Sequence, residues 1–306
     1  MSHGPTHIPP RGICIYCKRS GLRLTDEHIL PYFIGGAHVL KEASCDDCAR
    51  ITSSFERDVS RELWGDARIA FDAPSRRKKK RPKAILMPDQ YNPGEYLRIP
   101  AEEYPAAMVF YRMPKAGILQ GVSEEVDLSG GWQFCSPVDT DKIEKFTVKY
   151  GQRPVMKFRH VPESFARLLA KIAYGQTLCS LDPDDFRPVC VPYILGQKKN
   201  LSYIVGGRWS YPEITPELGY EMRTNCIKFP GRMLIIVEIR ILPNTGTPAY
   251  HVLVGDVEGE TESNRVFKKV EATYSVEVTD INAYKPLEDD TFHWMPSRWP
   301  LPAWGL

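Results

Sequence analysis

Hydrophobic and polar positions over residues 13–71 follow two different periods. Leu22 and Leu24 alternate with polar neighbours and lead into Asp26-Glu27-His28, the pattern of a half-exposed strand. Ile29 and Leu30 add an apolar anchor, Pro31 ends the strand, and Gly35-Gly36 permits a tight loop. Val39-Leu40 supplies a short return strand. After Cys45, Asp46 and Asp47 occupy the first turn of a helix predicted to run on through residues 49–63, where acidic side chains favour the positive end of the helix. The predicted order is strand, loop, short strand, helix.

From about residue 85 the pattern becomes short strand-like runs broken by Pro and Gly, at 96–99, 107–111, 146–150, 202–205 and 233–242. The last run, MLIIVEIRIL, is rich in Ile and Val and partly alternates, as a half-buried strand should. Pro243-Asn244-Thr245-Gly246 supplies turn residues, so residues 250–254 are expected to return as its partner. One helix interrupts these strands. In residues 162–175, Phe165, Leu168, Leu169, Ile172 and Ala173 recur at helical spacing, Pro162 suits the first turn and Gly175 suits the stop. This helix reads as core. Near the C-terminus Trp294, Trp299 and Trp304 could stack on bases, and packing back onto the domain is the plainer expectation.

These patterns predict an α+β protein: a flexible lead at 1–12, a compact module at 13–71, a basic linker at 72–84, and a larger mixed α+β domain of unknown topology at 85–306. No apolar run approaches the ~20 residues that span a bilayer, and MSHGPTHIPPRG has no apolar core, so no membrane association and a cytoplasmic location are expected. His3 and His7 could bind metal, but the lead reads as unstructured.

Charge matters only when it is split by position. Residues 1–83 carry 16 Lys+Arg against 10 Asp+Glu, and the remaining residues carry 24 against 28. Most of the excess is one segment, because residues 73–83 hold seven bases and no acid: Arg76, Arg77, Lys78, Lys79, Lys80, Arg81 and Lys83. Such a run can grip a polyanion through phosphate contacts and counterion release, or can simply be a solvated linker.

The eight cysteines are unevenly placed: CIYC at 14–17 and CDDC at 45–48 lie 27 residues apart, and four others are scattered. Disulfides are rare in a cytosolic chain, so two CxxC pairs read as a metal site. Four soft thiolates from Cys14, Cys17, Cys45 and Cys48 suit a closed, four-coordinate structural Zn²⁺. A module of under about 60 residues has little core, so metal binding would supply much of its folding energy. The scattered cysteines read as buried thiols.

The run C-x2-C, then E-H-I-x-P, then G-G, then C-x2-C opening a helix, resembles the HNH endonucleases with a four-cysteine zinc site, over roughly residues 13–60. The resemblance implies a zinc-stapled ββα, treble-clef-like fold and metal-dependent hydrolysis of phosphodiester bonds in DNA. It places His28 on the general base and Glu27 on a ligand of the catalytic Mg²⁺ or Mn²⁺. A neutral imidazole with a pKa of about 6.5 suits a base working near neutral pH. The family has Asn or His directly after the last cysteine, as a second metal ligand; here that position is Ala49, which offers no donor atom. His38 in the loop, and Ser53 or Glu56 on the helix, are nearby substitutes, each of which can equally be an ordinary surface residue. Two further readings stay open. The module could keep its shape and grip nucleic acid without cutting it, or the CxxC pairs could serve redox chemistry, which would need neither the second pair nor the histidine.

Overall fold

Residues 6–73, 79, 81–136, 139–208, 219–242, 247–273 and 278–280 are described in a computed structural model of the protein. The N-terminal part is a three-stranded sheet and a helix. Strands β1 (His7–Ile8), β2 (Leu24–His28) and β3 (Val39–Cys45) lie in the order β1-β3-β2, with β2 and β3 antiparallel. Helix α1 (Asp46–Asp58) starts directly from β3, continues through one π-type turn at Val59–Leu63, and is followed by α2 (Gly65–Ala70). Strand, loop, strand and helix therefore fall in the predicted order. One difference lies in the expected flexible lead: His7 and Ile8 pair with Val39 and Leu40 as a parallel edge strand. Extended backbone there satisfies the open edge of β3 that the hairpin leaves.

Two small ladders follow. Strands β4 (Ala84–Pro88) and β5 (Tyr96–Pro100) pair with each other, as do β6 (Phe110–Arg112) and β7 (Gln133–Cys135). Helix α3 (Thr140–Tyr150) overturns the strand expected at 146–150. Phe146, Val148 and Tyr150 favour strands intrinsically, but the Asp139 carboxylate caps the Lys142 amide at 2.9 Å, and Phe146 is buried where the helix packs on β4 and β5.

Helix α4 (Pro162–Thr177) is the spine of the molecule; only Pro162, Glu163, Ser164 and Arg167 escape burial. It runs two residues past the predicted stop at Gly175, because that glycine serves packing instead of termination. A Cβ there would lie 3.3 Å from the side chain of Ile29 and 3.4 Å from its backbone, so the bare Cα lets α4 and the end of β2 close together. A short helix α5 (Val191–Ile194) follows, and residues 201–203 form a 3₁₀ turn where a strand was expected, so the strand begins only at β8 (Val205–Arg208). The long strands β9 (Tyr220–Phe229), β10 (Arg232–Ile241) and β11 (Ala249–Glu258), helix α6 (Glu260–Thr273) and strand β12 (Val278–Asp280) complete the described chain. The larger sheet has the order β12-β9-β10-β11-β8 and is antiparallel except for β12 beside β9. The MLIIVEIRIL strand and its partner are thus confirmed, while the turn residues 243–246 and the three C-terminal tryptophans lie outside the described residues.

The hydrophobic core does not stop at the predicted linker. Cys14, Ile15, Ile29, Leu40, Phe55 and Trp64 belong to one buried cluster with Phe165, Leu169, Tyr174, Ile236 and Leu253. Polar contacts cross the same boundary. Tyr174 Oη donates to the Ile15 carbonyl at 2.7 Å, and Arg11 Nη2 donates to the Leu178 carbonyl at 2.6 Å. No helix among the described residues is long and apolar enough to cross a membrane.

Candidate metal centre and acidic corner

The four cysteines converge. Cys14 and Cys17 lie on the turn before β2, and Cys45 and Cys48 at the junction of β3 and α1; their sulfurs all fall within 4.8 Å of one another. Tetrahedral zinc–thiolate bonds of about 2.3 Å place sulfurs about 3.8 Å apart, and Cys17 Sγ and Cys45 Sγ are 3.8 Å apart. The donor set and its spacing therefore fit a structural zinc ion, held by Cys14, Cys17, Cys45 and Cys48. It is the only such group of metal-binding side chains among the described residues. Arg19 completes the surroundings: its Nε approaches Cys17 Sγ at 3.3 Å and its Nη2 approaches Cys45 Sγ at 3.6 Å. Partial burial opposes ionisation of Cys17, but the guanidinium outweighs it and draws the thiol down to about 6. A positive neighbour offsets the −2 charge of a zinc tetrathiolate. The Cys45 amide donates to Cys14 Sγ at 3.4 Å.

His28 is the last residue of β2, opposite Val39, half-buried, with its ring in edge contact with Tyr32 at 6.2 Å. Glu27 pairs with Leu40, and a bulge in β3 at Lys41–Ala43, opposite Asp26, separates that pair from the Thr25–Ser44 pair. Strand alternation sends neighbouring side chains to opposite faces, and Glu27 points inward, where it is only 7% exposed.

There it meets a residue that sequence patterns read only as core. Lys171 of α4, 1% exposed, places Nζ 2.9 Å from Glu27 Oε1 and 2.9 Å from Glu56 Oε1 of α1. The same ammonium donates to the backbone carbonyls of His28 and Ile29. Burial pushes the Glu27 carboxyl upward; Lys171 opposes this and the Glu56 charge adds to it. Burial would depress the Lys171 ammonium, but the two carboxylates overcome it and raise its pKa to about 12. Buried Tyr16 is pushed up as well, by desolvation and then by the nearby Glu27 and Glu56 charges.

Glu27 and Glu56 are thus brought together around a lysine. His38 sits just before β3 with its carbonyl accepting from the Ile29 amide at 3.1 Å, and its half-buried side chain joins no metal-binding group among the described residues. Ala49 follows Cys48 with no donor, and Ser53 is exposed. The residues present therefore do not fit a divalent cation at Glu27. Of the basic run, Arg76, Arg77, Lys78 and Lys80 lie outside the described residues. Arg81 folds back onto the Asp72 carboxylate and the Ala73 carbonyl. Sequence could have marked Lys171 by one signal, a lone cation inside the otherwise apolar run LLAKIA.

A β-hairpin and helix joined where four cysteines converge as a metal-binding group are the features of zinc-stapled ββα modules. Residues 14–63, about a sixth of the chain, match the family model described as HNH endonuclease, and this segment is a module of that family. No curated protein and no solved structure matches the chain.

Proposed function

We propose that the protein hydrolyses phosphodiester bonds in DNA through this module, with His28 as the general base. The observation that carries the reading is the position of His28: half-buried at the end of β2, on a hairpin whose neighbouring cysteines converge at the start of α1, within the matched segment. A base held on a short, pinned strand end is aimed with little conformational freedom, as proton abstraction from an attacking water requires. The basic stretch Arg76–Lys83 follows the module directly in sequence, and such a run supports contacts to a phosphate backbone. When bound, zinc supplies folding energy and not a reactive water, because four thiolates leave no open position. The Glu27 carboxylate is engaged by the Lys171 ammonium.

A second reading, a nucleic-acid-binding module without catalysis, is favoured by Ala49 and by Lys171 between the two carboxylates. Supercoiled plasmid incubated with the purified full chain, with and without Mg²⁺ or Mn²⁺, separates the two. Nicking that disappears in His28→Ala while plasmid binding persists supports hydrolysis. Binding without nicking, identical in both proteins, supports the second reading and overturns the first.

A further inference from the structure

We propose that the Lys171 ammonium is a fixed internal cation in the acidic corner of the HNH module, standing where a divalent ion would otherwise balance Glu27 and Glu56. The inference rests on the family assignment of residues 14–63 and not on hydrolysis. Three observations converge on it. The ammonium has three protons, and the Glu27 carboxylate, the Glu56 carboxylate and the His28 and Ile29 carbonyls offer acceptors for all of them. Two carboxylates and one ammonium leave a net charge of −1, half of what two bare carboxylates would present to a metal. Finally, the lysine cannot swing out, because α4 is buried along most of its length and Gly175, one turn further on, is in close contact with Ile29. A small divalent ion such as Mg²⁺ needs oxygens near 2.1 Å, and that coordination is not available while the nitrogen sits between them.

The carbonyl contacts give the lysine a second effect. By holding the His28 and Ile29 carbonyls, it ties the end of β2 to α4. A helix from beyond the module thus supplies the positive charge in this corner, next to a helix start where Ala49 offers no metal ligand.

The test is Mn²⁺ binding to the zinc-loaded full chain, followed by electron paramagnetic resonance, with zinc content and circular dichroism as checks on folding. Wild type is expected to show no saturable Mn²⁺ site up to about 1 mM, the weak end of carboxylate sites, and Glu27→Gln to change nothing. Lys171→Met frees both carboxylates and is expected to gain a site at least about tenfold tighter, roughly 1.4 kcal/mol. That site should vanish in Lys171→Met/Glu27→Gln and be absent in Lys171→Arg, which keeps the cation. A wild-type Mn²⁺ site abolished by Glu27→Gln overturns the proposal, as does a folded Lys171→Met that gains none. Should Lys171→Met lose its zinc and its helical signal, the wild-type and Glu27→Gln titrations decide alone. Failure of the hydrolysis reading is seen separately, as plasmid left intact by wild type.

Discussion

Replacing Lys171 by Met removes the cation from a triad in which Lys171 and Glu27 are buried and Glu56 is partly exposed, and leaves both carboxylates uncompensated. At 2.9 Å each ion pair is worth about 6 kcal/mol at an effective dielectric of about 20. Most of that is offset by the cost of taking three charges out of water, so the measurable quantity is the penalty of stranding the carboxylates. Removing one partner of a buried pair costs about 3–5 kcal/mol, and the ammonium's hydrogen bonds to the His28 and Ile29 carbonyls are lost with it. Guanidinium unfolding followed by tryptophan fluorescence reads the effect. With a slope of about 4 kcal/mol per molar, the midpoint should fall by about 1 M. Adding Glu27→Gln and Glu56→Gln to Lys171→Met removes the stranded charges and should recover more than half of the loss. A Lys171→Met midpoint within about 0.2 M of wild type, or a triple variant less stable than the single one, would refute the reasoning.

Cys48→Ser should abolish stoichiometric zinc and lower the helical circular dichroism of the chain, because a structural zinc site contributes about 10–16 kcal/mol of binding energy; zinc release is measured with a chromogenic chelator. Asp256 is fully buried and bridged by Arg187 at 2.6 and 2.7 Å and by Arg232 at 2.6 and 3.0 Å. Burial opposes its ionisation, but the guanidiniums prevail and hold its carboxyl below the ordinary 3.8. A depressed folded pKa gives stability that is present above about 3.8 and lost as pH falls through the folded value. Asp256→Asn should therefore cost about 2–3 kcal/mol at pH 7, and the gap from wild type should narrow only below about pH 3.8 in acid titrations of stability. In the loop after His28, Gly35 has φ +90° and open space around it, whereas a Cβ on Gly36 would fall 1.9 Å from the Leu30 carbonyl oxygen. Gly36→Ala should destabilise by more than the roughly 1–2 kcal/mol of backbone strain expected for Gly35→Ala, and thermal melts of the two variants compare them directly.

Local patterns carried the hairpin, the position of α1, the strand pair β10–β11 and the helical core of α4, because each depends on spacing within a short window. The CxxC pairs carried the metal site, since chelation by sulfur imposes a recognisable interval. What stayed hidden was non-local. Phe146 and Tyr150 look strand-like alone, and only a cap and the neighbouring ladder make their segment helical. Lys171 lies 144 residues from Glu27, so nothing near either residue announces their contact. The continuity of the core from Cys14 to Val270 was likewise invisible, because apolar residues on both sides of a basic run do not reveal whether they share one interior.

Four sulfurs on one ion are what should staple the N-terminal module. Zinc-edge X-ray absorption of the purified protein measures that shell directly. One zinc per chain surrounded by four sulfurs at about 2.3 Å is the result expected from the convergence of Cys14, Cys17, Cys45 and Cys48. A shell containing nitrogen or oxygen in place of any sulfur, or metal-free protein in which these cysteines are paired as disulfides, would contradict it.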